Sequence, residues 1–212
     1  HKTLALFLAC DLILHLKEQS ESVWPAFMPA VFQALQDSDP DVRTPAAYAI
    51  NLASPLAKFD EAAPSAFKLL GQIVGGPAPK KRDDKGKVAL DNAVSALMVL
   101  AKEKPALCPA EIPAWQLVVS KLPLKEDEEE AKKVHKMVCD LLLAEHAGLV
   151  GGGNHLGPIL SALAEVYKQE NICEPETDEK ILKIFNGLKA NLGTWAGSFS
   201  EKQQKKVEKM LS

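Results

Sequence analysis

The run KEDEEE sets five carboxylates side by side, Glu126, Asp127, Glu128, Glu129 and Glu130, directly after Lys125. Such a cluster draws lysine-rich segments through water over a long range. The same acids suit the positive end of a following helix, where Glu128 to Glu130 would stand. Asn51, Asp91 and Asn92 form a second set of candidates, in segments with helical spacing. An asparagine amide donates to and accepts from a peptide backbone, and an aspartate pairs with lysine. A bridge between two neighbouring helices would use the same groups. The run PKKRDDKGK, residues 79–87, has the look of a basic signal, but its acids offset part of the charge and it reads as a solvated loop.

Other constellations point away from catalysis. His135 and Cys139 stand four apart on one helix face, yet a structural zinc site takes about four ligands and no partner pair accompanies them. The glycines of GGGNHLG follow a helix rather than a strand and lack the lysine of a phosphate loop. There is no GxSxG, and no carboxylate pair sits in an active-site context. The expectation is a non-enzyme that takes neither metal nor cofactor.

The elements that position these residues are helical. Apolar residues recur at helical intervals along nearly the whole chain, and strict alternation is almost absent. The spacing predicts helices over 3–18, 23–36, 40–56, 61–74, 87–104, 111–122, 128–145, 155–169, 175–192 and 200–211. Ser38-Asp39-Pro40, Gly75-Gly76-Pro77, Lys104-Pro105 and Gly151 to Gly153 mark the stops. Ser200 with Gln203 predicts a capping box. Pro45, inside the third helix, predicts a kink or a tightened first turn.

The chain has 212 residues, 47% apolar and 25% charged, with a net charge of -3. That is enough to bury a substantial core. No apolar run is long enough for a membrane span, and the charge gives no basic surface of the kind that binds nucleic acid. Cys10, Cys108, Cys139 and Cys173 contain no CxxC pair and read as buried free thiols of a reducing compartment. The opening HKTLALFLAC lacks an initiator methionine and is already helical in pattern, so a fragment of a longer chain is expected.

The helices fall into pairs. The second member of each recurs at about 45 residues, with Val42, Val88, Ala131 and Thr177 near successive starts. A two-helix unit of that length predicts an all-α fold, a superhelical solenoid of HEAT or armadillo type. The expected organisation is a half repeat at 1–20, repeats at 21–58, 59–104, 105–148 and 149–192, and a terminal cap helix within 193–212. Ala46, Ala47, Ala49 and Ala53 fit this fold, since a helix touched on several sides by neighbours needs short interaxial distances. Pro29, Asp37 and Arg43 resemble the proline, acid and base of the HEAT pattern, whose acid and base form a ladder between repeats. Trp24 and Trp115 are expected to seal seams between repeats or to stand exposed as binding aromatics, and Trp195 to clamp the cap.

A narrower resemblance runs from SDPDVRTPAAYAIN and KVALDNAVSALMVL, through EIPAWQLVVSKLPLKEDEEEAKKVHKMVCDLLLAEHAGLVGGGNHLGPILSALAEVY, to TWAGSFSEKQQKKVEKMLS. These segments resemble the last repeats of a karyopherin-β, specifically the importin-five subgroup. The resemblance implies a nuclear transport receptor that shuttles between cytoplasm and nucleus. Its partners would be protein cargo with a basic localisation signal, the GTPase Ran (mainly through repeats outside this chain) and phenylalanine-glycine nucleoporins. A purely structural HEAT scaffold is the alternative that periodicity leaves open.

Overall fold

The structure, a computed structural model, describes residues 1–212 and contains helices and no strand. Ten of its eleven α-helices coincide in place with the expected ones: α1 (Lys2–Leu16), α2 (Trp24–Ala34), α3 (Pro40–Ala53), α4 (Ala63–Gly75), α5 (Asp84–Glu103), α6 (Ala114–Ser120), α7 (Glu128–Leu143), α9 (Leu156–Val166), α10 (Pro175–Gly187) and α11 (Glu201–Leu211). The remaining helix, α8, is an unexpected single turn over Ala147–Val150. It ends because Gly151, Gly152 and Gly153 all take positive φ, a conformation open to glycine at little cost. α10 stops earlier than expected, and the chain from Lys189 to Ser198 continues as 3-10 turns. No helix is long and apolar enough to cross a membrane.

Helix starts follow from local chemistry. Asp39, Asp83 and Asp127 are the N-caps of α3, α5 and α7, spaced 44 residues apart, and each carboxylate accepts a backbone N–H of the first turn. Such a cap satisfies one of the donors that a helix start leaves orphaned. Pro40 and Pro175 occupy first positions, where a missing N–H costs nothing. In α3 the Asp39 carbonyl accepts from both Val42 and Arg43, at 3.0 and 3.2 Å, so the turn before Pro45 is tightened as anticipated. The helix runs on through Pro45 to Ala53.

The chain forms two compact units, His1–Val118 and Val119–Ser212. In the first, α3 lies against both α1 and α5, α2 packs on α3, and α4 packs on α5. Small residues allow the approach: Ala46, Ala49 and Ala53 are fully buried on α3, and Ala89, Ala93 and Ala96 are buried on α5. Phe59, in the 3-10 turn after α3, and Phe67 of α4 supply bulk to this core. In the second unit α7 packs on α10, and α11 contacts both α9 and α10. Gly157 of α9 has no side chain because the 189–198 segment crosses there; a Cβ would stand 2.3 Å from Ser198 Oγ.

Candidate functional site

Asn51 and Asn92 sit on neighbouring helices of the first unit. Asn51 Nδ2 donates to Ser95 Oγ at 2.9 Å, tying α3 to α5, and Asn92 Nδ2 donates to the Val88 carbonyl of its own helix at 3.1 Å. Asp91 and Asn92 keep only 8% and 4% exposure. A ligand reaching this strip would meet the half-buried Asn51 and Tyr48 first. The expected presentation of Asp91 and Asn92 on an open face therefore gives way to burial, because α5 is nearly enclosed from Val94 to Ala101.

The acidic run belongs to the second unit and divides by role. Asp127 caps α7, accepting from Glu130 N at 3.1 Å. Glu130 is 3% exposed and bonds Lys133 at 2.7 Å. Glu129 pairs with Lys132 at 3.2 Å. Glu126, Glu128 and Glu129 remain on the surface. The start of α7 thus gathers all five acids, two of them committed to the helix and three facing solvent.

The structure also shows a set of cross-links that the sequence reading missed. Asp41 meets Lys85, Asp60 meets Lys104, and Asn51 meets Ser95, each pair 44 residues apart. In the second unit Lys125 meets Glu165, Lys136 meets Glu176 and Asp140 meets Lys180, each 40 apart. Lys136 and Lys180 both bond Glu176 and hold its carboxyl down at about 2. The ion pairs among them each keep at least one partner open to solvent and act mainly as register marks, since surface ion pairs stabilise little. The recurrence of acid and base at 40 to 44 residues was the signal that could have found them.

The proline–acid–base pattern works differently from the ladder expected of it. Asp37 pairs with Lys2 at 2.7 Å and accepts from Asp39 N, while Arg43 Nη1 donates to the carbonyls of Asp37 and Ser38 at 2.8 and 3.1 Å. Arg43 therefore closes the loop between α2 and α3, and Asp37 reaches α1. Trp24 is 5% exposed, donates to Ser20 Oγ at 2.9 Å and meets Phe59 edge-on. It seals a seam and offers no exposed ring to a nucleoporin. Trp195 lies half-buried beside Gly157.

His135 and Cys139 are both buried on α7. His135 Nδ1 lies 2.9 Å from the Ile172 carbonyl, which can only accept, so Nδ1 carries the ring proton and Nε2 is left without a partner. Burial holds this imidazole below its ordinary value and pushes the Cys139 thiol up to about 12. Burial likewise raises the Cys10 thiol to about 12. Such thiols are poor nucleophiles and poor metal ligands at neutral pH.

No protein-family model matches the chain. Over 133 residues, 63% of its length, it is 32% identical to the probable importin subunit beta-4 of Schizosaccharomyces pombe. The matched part is 12% of that protein, so this chain spans a small fraction of its relative. An all-helical chain of recurring helix pairs with this likeness supports the karyopherin, or importin-β, family.

Proposed function

We propose that this chain is a portion of a nuclear transport receptor of the importin-five subgroup. Its HEAT repeats, bounded as at 21–58, 59–104, 105–148 and 149–192, stack into a solenoid that helps hold protein cargo for import under Ran control. The observation that carries the reading is the 133-residue likeness to an importin subunit, over a chain whose cross-helix contacts recur at 40 to 44 residues. Glu126, Glu128 and Glu129 are the exposed acids that would meet a basic localisation signal. Asn51 would contribute a half-buried amide, and Asp91 and Asn92 would act through the α3–α5 seam. Phenylalanine-glycine nucleoporins would meet other surfaces during shuttling between cytoplasm and nucleus.

The burial of Asp91 and Asn92 favours a second reading, in which the helices serve as a structural scaffold for a multiprotein complex. A pull-down from cytosol, with and without GTP-locked Ran, separates the two. A receptor exchanges its bound proteins in response to Ran, and a scaffold retains them. If retention is unchanged when the full-length protein is used as bait, the receptor reading fails. Replacing Glu126, Glu128 and Glu129 by glutamine should slow association with a lysine-rich peptide and flatten its salt dependence. Unchanged kinetics would remove these acids from the cargo surface.

A further inference from the structure

We propose that the loop between α4 and α5 is a docking site for an acidic peptide segment that carries one aliphatic side chain. The sequence alone suggested that the acids of PKKRDDKGK neutralise part of its charge. The structure separates them. Asp83 turns into the start of α5, where its carboxylate accepts from Gly86 N at 2.9 Å. Asp84 bonds Lys87 at 2.8 Å, and Lys85 is engaged by Asp41 of α3. Lys80, Lys81 and Arg82 are all exposed, and none of the loop's ion pairs runs through them. Three adjacent cations therefore face solvent from a loop whose acids point elsewhere.

A cleft opens beside them. It has a volume of about 100 Å³ and is lined by Leu35, Ile73, Pro77, Pro79, Ala89 and Leu90, with Arg43 also on its wall. That volume suits a single side chain and excludes a helix. Pro77 and Pro79 fix two backbone angles of the loop, so less conformational freedom is lost when a partner binds. The apolar lining selects an aliphatic anchor, and the cation triplet beside Pro79 selects flanking carboxylates. A nucleic acid is a poorer fit. Residues 75–87 contain no aromatic ring on which a base could stack.

The site is independent of the receptor reading, which uses none of these residues. Its test is fluorescence anisotropy of the 212-residue chain with a short labelled peptide of aspartate and glutamate around one central leucine. Lys80→Glu, Lys81→Glu and Arg82→Glu together should weaken binding about tenfold or more, with the loss shrinking as salt rises. Replacing the peptide's leucine by serine should weaken it about tenfold at all salt concentrations, a change that cannot disturb the protein. Circular dichroism of the triple variant should match the unmutated chain, since all three positions are exposed. Equal affinity for the triple variant, or for the serine peptide, would overturn the proposal. So would a single-stranded oligonucleotide of the same length that binds as tightly as the acidic peptide.

Discussion

His135 shows how one buried group sets a pH limit on the fold. Its Nδ1–H is used by the Ile172 carbonyl, and a second proton on Nε2 would be buried without an acceptor. The folded state therefore holds the neutral ring, with a value below the 6.5 of an unfolded histidine. A depressed folded value means that the unfolded chain binds the proton first, so this contribution is present above pH 6.5 and is lost as pH falls below it. Relative to His135→Gln, the unmutated chain should lose up to about 1.4 kcal/mol per pH unit below that point. Urea denaturation of both proteins at several pH values measures it, and parallel pH profiles would contradict it. Gly86 gives a second residue-scale prediction. A Cβ there would lie 2.2 Å from Asp83 Oδ2, so Gly86→Ala displaces the cap of α5. The helix gains about 1 kcal/mol of propensity and loses about as much capping, so stability should hardly change. In an Asp83→Ala background no cap remains to lose, and the same change should stabilise by about 0.5–1 kcal/mol. Thermal melts of the four proteins close this cycle; equal effects in both backgrounds would show that the cap re-forms. At this scale the candidate residues were legible as types but their surroundings were not. Asn51 is recognisable as a polar residue on a helix, whereas its commitment to Ser95 depends on a partner 44 residues away.

Helices were the most legible elements, because a 3.6-residue apolar pattern and proline or aspartate at the start are local signals. Where the pattern misled, a local rule had a tertiary competitor. The apolar spacing of α10 runs past Gly187, but residues 189–198 bend into 3-10 turns to lie along α9, where Gly157 leaves room for Ser198 and Trp195. The expected helix over 111–122 shrinks to Ala114–Ser120 behind Pro113. α11 met its expectation closely: Ser200 and Gln203 form the anticipated capping box. The element is also tied sideways. Gln203 Nε2 donates to the Ser161 carbonyl at 3.0 Å, its Oε1 accepts from Ser161 Oγ at 3.2 Å, and Lys206 Nζ donates to the Glu165 carbonyl at 2.9 Å. Val207, 7% exposed, is its buried anchor. Gln203→Ala removes half of the box and two of the three bonds to α9, and should cost about 1–2 kcal/mol. Hydrogen exchange should quicken over α11 before it quickens over α7. If exchange in α11 is unaltered, Val207 and the Lys206 bond to Glu165 hold the helix without Gln203.

At the scale of the whole molecule, the sequence carried a period and the structure supplies its physical content. Aspartate caps spaced at 44 residues and ion pairs spaced at 40 to 44 repeat one contact pattern along the chain. Each helix of the α1, α3, α5 series turns a face to the helix before it. In α3 the face toward α1 includes Pro45, whose carbonyl accepts from Cys10 Sγ at 3.3 Å. Counted from the helix starts at Lys2 and Pro40, the α1 residues matching Val42, Pro45 and Ala46 are Leu4, Phe7 and Leu8. The α3 residues are buried, while Leu4, Phe7 and Leu8 are 69%, 53% and 60% exposed. Three large apolar side chains at helical spacing form a patch of the kind that drives association. Their exposure was invisible in the sequence, where the opening HKTLALFLAC reads only as helical in pattern. Because all three are mostly exposed, replacing Leu4 by Lys, Phe7 by Ser and Leu8 by Gln should change folding stability by little, about 0.5 kcal/mol or less per site. Self-association at high concentration should fall sharply. Sedimentation velocity over a concentration series, beside a thermal melt, tests both halves. A lowered melting midpoint would mean that the face is packed within the chain, and unchanged sedimentation would mean that the patch does not drive association.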